Sequence, residues 1–142
     1  MRLRSGRHEG ETVEYVLLKY SDWAYWMMKK YPKCILSDVF RQLVGRFNRK
    51  PFTVRCRSCD RIATRATAYQ GTGSVLRFWC DDHEPAEQNR LTTIETFPDA
   101  MCHVDLTCTA PMKEKRNIIR ALARGKGLPE RLNELQALQF FA

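Results

Sequence analysis

Apolar residues recur at helical intervals towards both ends of the chain and alternate in its middle. The pattern predicts helices flanking a β segment. The opening MRLRSG, with a turn over Arg7 to Gly10, predicts a hairpin, because glycine adopts the backbone angles a tight turn needs. Thr12 is the expected N-cap of a short helix through Leu18. Ser21 and Asp22 are expected to cap a second, DWAYWMMKKY, which stops before Pro32. Ser37 is expected to cap a third, DVFRQLVGRFNR. There Val39, Phe40, Leu43, Val44 and Phe47 form an apolar stripe, with Arg41, Arg46 and Arg49 largely away from it.

In the middle, PFTVRC leads into a cysteine pair. RIATRATAY and SVLRFWC read as strands joined by the turn-forming QGTG. Residues 86–110 show no clear period; a short helix, a strand and loops are expected there. Thr109 is the expected cap of a helix with Pro111 in its first turn, running to Arg124. Gly125-Lys126-Gly127 breaks it. Leu128 and Pro129 begin a last helix, whose Leu132, Leu135 and Leu138 are expected to pack in the core. The expected class is α+β, in three segments: 1–50 hairpin and helices, 51–110 β, and 111–142 helical.

Charge sharpens this picture. The 142 residues carry a net +8, unevenly spread. Residues 1–55 hold 12 Lys/Arg against 5 Asp/Glu, residues 56–110 hold 5 against 8, and residues 111–142 hold 7 against 3. Two basic segments around an acidic middle point to a polyanion, DNA or RNA, as partner, with an acidic protein or membrane headgroups as the other options for the charge alone. In PMKEKRNIIRALARGKG, Lys113, Arg116, Arg120 and Arg124 fall on one helix face, with Met112, Ile119 and Leu122 on another. Glu114 is the one acid in that helix, so pairing along it cannot neutralise the face. Arg2, Arg4 and Arg7 add cations in the hairpin. No apolar run approaches the roughly 20 residues a membrane span needs. No apolar stretch follows the basic start, so neither a secretion signal nor a membrane is expected, and the expected location is cytoplasmic.

Six cysteines could suggest disulfides, but a chain of this length without a secretion signal can build its own core. The spacing suggests a metal instead. Cys56-x2-Cys59 is followed, after 20 residues, by Cys80-x2-His83. Zinc takes four tetrahedral S or N ligands. A two-residue gap lets both groups of one tight turn face a single ion, and the intervening hairpin returns the second pair to the first. Cys56, Cys59, Cys80 and His83 are therefore the expected ligands of a structural zinc, with Arg55, Arg57 and Arg61 offsetting the thiolates. Cys34 is expected to be a packed thiol and His8 a polar turn residue. Cys102, His103 and Cys108 supply only three groups and are expected to be isolated side chains.

LRSGRHEGETVEYVLLKYSDWAYWMMKKYP resembles the C-terminal accessory domain of exonuclease X-like proteins. Gly6-Arg7, Gly10 and Thr12 match its first elements, with Arg for the commoner Lys. Asp22, Trp23 and Trp26 match its last, with Trp23 for Tyr and without the usual Pro. Ser5 stands where Phe is usual. The resemblance covers about a fifth of the chain and implies a hairpin-and-helices unit found in DNA-processing proteins of bacteria and phages. It implies no catalysis, since the acidic exonuclease motifs belong to another domain. Among Tyr15, Trp23, Tyr25 and Trp26, most are expected in the core; an exposed one near Arg2, Arg4 and Arg7 could stack on an unpaired base.

Asp82-His83-Glu84-Pro85 also resembles the DH-x-P motif of HNH-type nucleases, where the histidine is a general base. Asn89 lies downstream, and Cys102 and Cys108 would help hold the zinc. That pair is C-x5-C, and Cys80 is left over, so the pattern departs from the family twice. The function expected is therefore a non-catalytic, zinc-containing nucleic-acid-binding accessory or regulatory protein. The alternatives are an HNH-like nuclease using His83 and a small adaptor, of phage type, that binds a host protein.

Overall fold

The computed structural model describes residues 1–86 and 89–142. Its elements are α1 (Val13–Lys19), α2 (Ser21–Lys30), α3 (Ile35–Arg49), β1 (Arg65–Tyr69), β2 (Arg77–Trp79), β3 (Leu91–Ile94), α4 (Phe97–Thr107), α5 (Pro111–Gly125) and α6 (Glu134–Phe141). This is an α+β chain: the described residues form six helices and a small antiparallel sheet ordered β2-β1-β3, with α4 packed beside β3. Glu87 and Gln88, inside the stretch without a clear period, lie outside the described residues.

The N-terminal hairpin forms. Arg2 bridges Thr12, and the Leu3 N–H donates to the Glu11 carbonyl at 3.0 Å. Gly6 and Gly10 both take φ 86°, the left-handed region that a side chain disfavours. His8 is not a mere polar turn residue. It is buried, stacks on Tyr20 with centroids 4.3 Å apart, meets the Trp23 ring edge-on, and pairs with Glu11 at 2.9 Å.

Several helix starts differ from the sequence pattern, and tertiary hydrogen bonds explain two of them. α2 begins at Ser21 itself, whose hydroxyl donates to the Lys115 carbonyl on α5 rather than capping α2. α3 begins at Ile35, capped by the Cys34 sulfur, which accepts from the Ser37 N–H at 3.4 Å. Ser37 thus lies one turn inside, where its hydroxyl donates to the Tyr31 carbonyl at 2.7 Å and ties α3 to the end of α2. α5 is capped by Ala110 rather than Thr109. β1 starts later than the first predicted strand because residues 54–63 form a separate hairpin held by Ala63 N–H to Val54 O at 2.9 Å, and β2 is shorter than the second because residues 74–76 are not strand.

The C-terminus departs most. Residues 128–133 are not helical, and α6 starts at Glu134 with Asn133 accepting from the Gln136 N–H at 2.8 Å. Leu135 and Leu138 are exposed, not core. A three-residue repeat drifts about 60° per step around a helix of 3.6 residues per turn, so it cannot stay on one face. Ala137, Phe140 and Phe141 set the buried side instead. Met112, placed on the apolar side of α5 by its spacing, is likewise exposed; Ile118, Ile119, Leu122 and Ala123 carry the packing.

α5 ends where its glycines predict a break, with a defined geometry. The Gly127 N–H donates to the Arg124 carbonyl at 3.1 Å and the Leu128 N–H to Ala123 at 3.0 Å, while Gly127 takes φ 107°. This is the paired closure of a Schellman end, with buried Leu128 as its apolar contact. One continuous apolar core runs through all three segments, from Leu3 to Phe141. Ala66, Ala68 and Ile94 supply the inner face of the sheet.

Lys126 is buried within this core. It is 2% exposed, and its Nζ donates to the Lys50 carbonyl at 2.7 Å and sits over the Phe47 and Phe52 rings. Burial, helped by the nearby Lys50 charge, pulls its pKa down to about 8. Between that value and about 10.5, the unfolded chain holds a proton that the folded one lacks, so stability rises with pH. Urea unfolding of wild type and Lys126→Met at pH 7.5 and pH 10 is expected to show the difference moving in favour of the wild type at the higher pH. A difference that is flat with pH would contradict this.

Candidate metal centre

Two short turns build the site. The 54–63 hairpin carries Cys56 and Cys59 at its tip, closed by the Arg55–Ile62 bridge and by Cys56 N–H to Arg61 O at 2.7 Å. The Ser58 N–H points at the Cys56 sulfur at 3.4 Å, and the Arg61 N–H at the Cys59 sulfur at 3.5 Å. This first turn therefore offers a backbone donor to each of its two sulfurs. The second turn follows β2, with Cys80 just past its end and the His83 N–H donating to the Cys80 carbonyl at 3.4 Å.

Backbone bonds join the two turns. The Arg57 N–H donates to Phe78 O, and the Thr64 N–H to Trp79 O, both at 2.9 Å. Arg65 donates to the His83 carbonyl at 2.7 Å, Thr64 donates to Asp81 at 2.6 Å, and Arg61 pairs with Asp82. The ligand atoms of Cys56, Cys59, Cys80 and His83 consequently lie within 4.8 Å of one another. The Cys59 and Cys80 sulfurs are 3.7 Å apart, and the Cys80 sulfur is 3.1 Å from His83 Nδ1.

These separations suit a metal. A disulfide needs sulfurs about 2.05 Å apart, far closer than the Cys59–Cys80 pair. A tetrahedron with metal–sulfur distances of about 2.3 Å has edges of roughly 3.8 Å, close to the observed separation. All six cysteines are free thiols. The cluster can hold a metal ion, and among the described residues it is the one group of three or more Cys, His, Asp or Glu side chains so disposed.

The thiols already differ from one another. Burial raises the Cys56 thiol, but the backbone donors of Cys80 and Ser58, with the neighbouring Cys80 and Cys59 side chains, bring it down to about 6. At Cys59 the Arg61 N–H acts downward, yet burial and the adjacent Cys80 and Cys56 sulfurs outweigh it and hold the thiol above its ordinary value. One thiolate forms readily and opposes the next. A bound cation is what would let all three ionise together.

Trp79, which the spacing of the ligands alone does not single out, completes the site. It is buried against Cys56 and Cys80, and its indole N–H donates to Thr67 at 3.0 Å. Its position directly before Cys80 in an apolar strand was the available sequence signal. The three remaining groups are dispersed in role. Cys102 is exposed, Cys108 caps α4, and buried His103 bonds the Thr72 carbonyl at 2.8 Å. The nuclease pattern needs Cys102 and Cys108 as ligands, and neither belongs to the cluster that contains His83.

The candidate nucleic-acid residues have unequal surroundings. Arg2 pairs with Glu134 at 2.7 Å, linking the hairpin to α6. Arg116 lies 3.5 Å from Asp22 on α2, and Arg120 is half-buried. Arg4, Arg7, Lys113 and Arg124 are exposed, and among the described residues they form no ion pair. The acids that neutralise α5 come from other helices, Asp22 for Arg116 and Asp105 for Lys115, which a search along α5 alone does not reveal. No helix among the described residues is long and apolar enough to cross a membrane. The chain matches no protein-family model, no curated protein and no solved structure.

Proposed function

We propose that this chain is a non-catalytic nucleic-acid-binding protein whose 54–83 region is held by a structural zinc ion. The observation that carries the reading is the four-ligand set of Cys56, Cys59, Cys80 and His83, drawn together by two turns. Three soft thiolates and one imidazole favour zinc over the hard cations that oxygen ligands select. Four protein ligands make a closed shell of the structural kind, whereas a catalytic zinc keeps one position for water. His83 serves in this reading as a ligand, not as a general base.

Nucleic acid is the partner that the charge supports. The chain is +8, and Arg4, Arg7, Lys113 and Arg124 stand exposed to meet phosphates. The N-terminal likeness to an exonuclease X-like accessory unit points the same way, towards an accessory or regulatory role in nucleic-acid processing in the cytoplasm. The test is a gel assay with end-labelled single- and double-stranded DNA and RNA, with and without Mg²⁺. Intact, retarded bands that weaken steeply as salt rises are expected. Cleavage products appearing with Mg²⁺ would replace the reading with a nuclease, and no shift at low salt would leave a protein partner as the reading.

A further inference from the structure

One face of α2 combines open aromatic rings with unpaired cations. Trp26 is 48% exposed and Tyr31, at the end of the helix, is 49% exposed. The two rings meet at 85° with centroids 5.9 Å apart, so each keeps at least one face that the other does not cover. Lys29 and Lys30 follow Trp26 by three and four residues, which places them as its neighbours one turn along the same surface. Lys33 is exposed in the following loop. Tyr25, beside Trp26, is already engaged, with Lys29 and Lys115 each 5.0 Å from its ring centre.

The local charge is positive. The acids around this face each have a partner: Asp22 with Arg116, Asp38 with Arg41, and Asp105 with Lys115. Lys29, Lys30 and Lys33 have none among the described residues. Single exposed apolar residues are ordinary. Two large adjoining rings, near in the chain to three lysines that no acid neutralises, match a specific chemistry: a planar base to stack and a phosphate backbone to neutralise.

We infer that Trp26 and Tyr31 form a stacking platform for unpaired nucleotides, with Lys29, Lys30 and Lys33 holding the adjoining phosphates. This rests on the nucleic-acid reading above and names its substrate class, single-stranded DNA or RNA. A duplex hides its base faces within its own stack and offers the rings nothing to cover.

The experiment measures binding of the full chain to a short oligothymidylate, the matching oligouridylate and a duplex of the same length at low salt, by fluorescence anisotropy. Trp26→Ala is expected to weaken single-strand binding by about 5- to 150-fold, the range for losing one stacked base, with little effect on the duplex. Trp26→Phe is expected to recover part of the loss, which separates stacking from damage to α2. Changing both Lys29 and Lys30 to Gln should flatten the dependence of log affinity on log salt by about 1.4, at roughly 0.7 per single-strand phosphate contact. Unchanged single-strand affinity in Trp26→Ala would overturn the platform and leave the binding function standing. Absence of any oligonucleotide binding by the wild type would overturn both. Polyglutamate binding as tightly as the oligonucleotides would reassign the face to an acidic protein and overturn the stacking role.

Discussion

Saturating the chelated protein with zinc is expected to raise its midpoint of thermal unfolding by about 8–16 °C. A ligand present at a thousand times its dissociation constant stabilises the folded state by about 4 kcal/mol. A chain of this length shifts by roughly 2–4 °C per kcal/mol. The effect should concentrate in residues 54–65 and 77–83, because Cys56, Cys59, Trp79 and Cys80 form a cluster separate from the main core. Four residues bury too little apolar surface to order two turns unaided. Hydrogen exchange should therefore accelerate most there on chelation, with a smaller loss of protection in α1, α3 and α5. Cys56→Ser should reproduce both results. A variant that stays soluble with an unchanged transition and unchanged exchange would remove the structural role of the metal.

Phe47→Ala is expected to destabilise the whole chain by about 3–5 kcal/mol, as other buried Phe truncations do. Phe47 is fully buried on α3 and meets Phe97 of α4 at 5.8 Å and Phe140 of α6 at 6.0 Å, with the Lys126 ammonium 5.3 Å from its ring. Those partners come from the middle and last segments of the chain. Removing the ring opens a cavity where all three segments meet and leaves the Lys126 ammonium facing it. Chemical denaturation followed by far-UV circular dichroism and by tryptophan emission should show one transition displaced to lower denaturant in both signals. If the two signals separate, the segments fold independently and the common core does not couple them.

Much of the helical framework was legible in the sequence. The α3 stripe of Phe40, Leu43 and Phe47 is buried as its spacing predicts, and Arg41, Arg46 and Arg49 are exposed. α4 is the short helix expected within residues 86–110, where no clear period placed it although its start carries a readable signal. Thr96 accepts from the Asp99 N–H at 3.2 Å, and Asp99 accepts from the Thr96 N–H at 3.1 Å, a reciprocal cap with Pro98 in the first turn. Phe97, Ala100, Met101 and Val104 fall at i, i+3, i+4 and i+7, and of its buried residues only His103 reads as surface from its type. The buried Lys126 and His8 were illegible for the same reason. A charged or polar side chain reads as surface until the rings and carbonyls that receive it are known.

By itself the sequence determined the class of fold, the hairpin turn at Gly6 and Gly10, the helices α1 to α3 and α5, and the identity of the four side chains that can hold a metal ion. Those are local facts: backbone freedom, periodicity and the reach of a two-residue gap. Only the tertiary structure decided which cations are free, which aromatic is exposed, and where α6 begins. Arg116 is held near Asp22 and Lys115 is paired with Asp105, both across helix contacts, and Trp26 is left open because α2 turns its other side, Ser21 and Ala24, into the core. Such outcomes depend on residues far apart in the chain competing for the same buried space, and no local pattern records that competition.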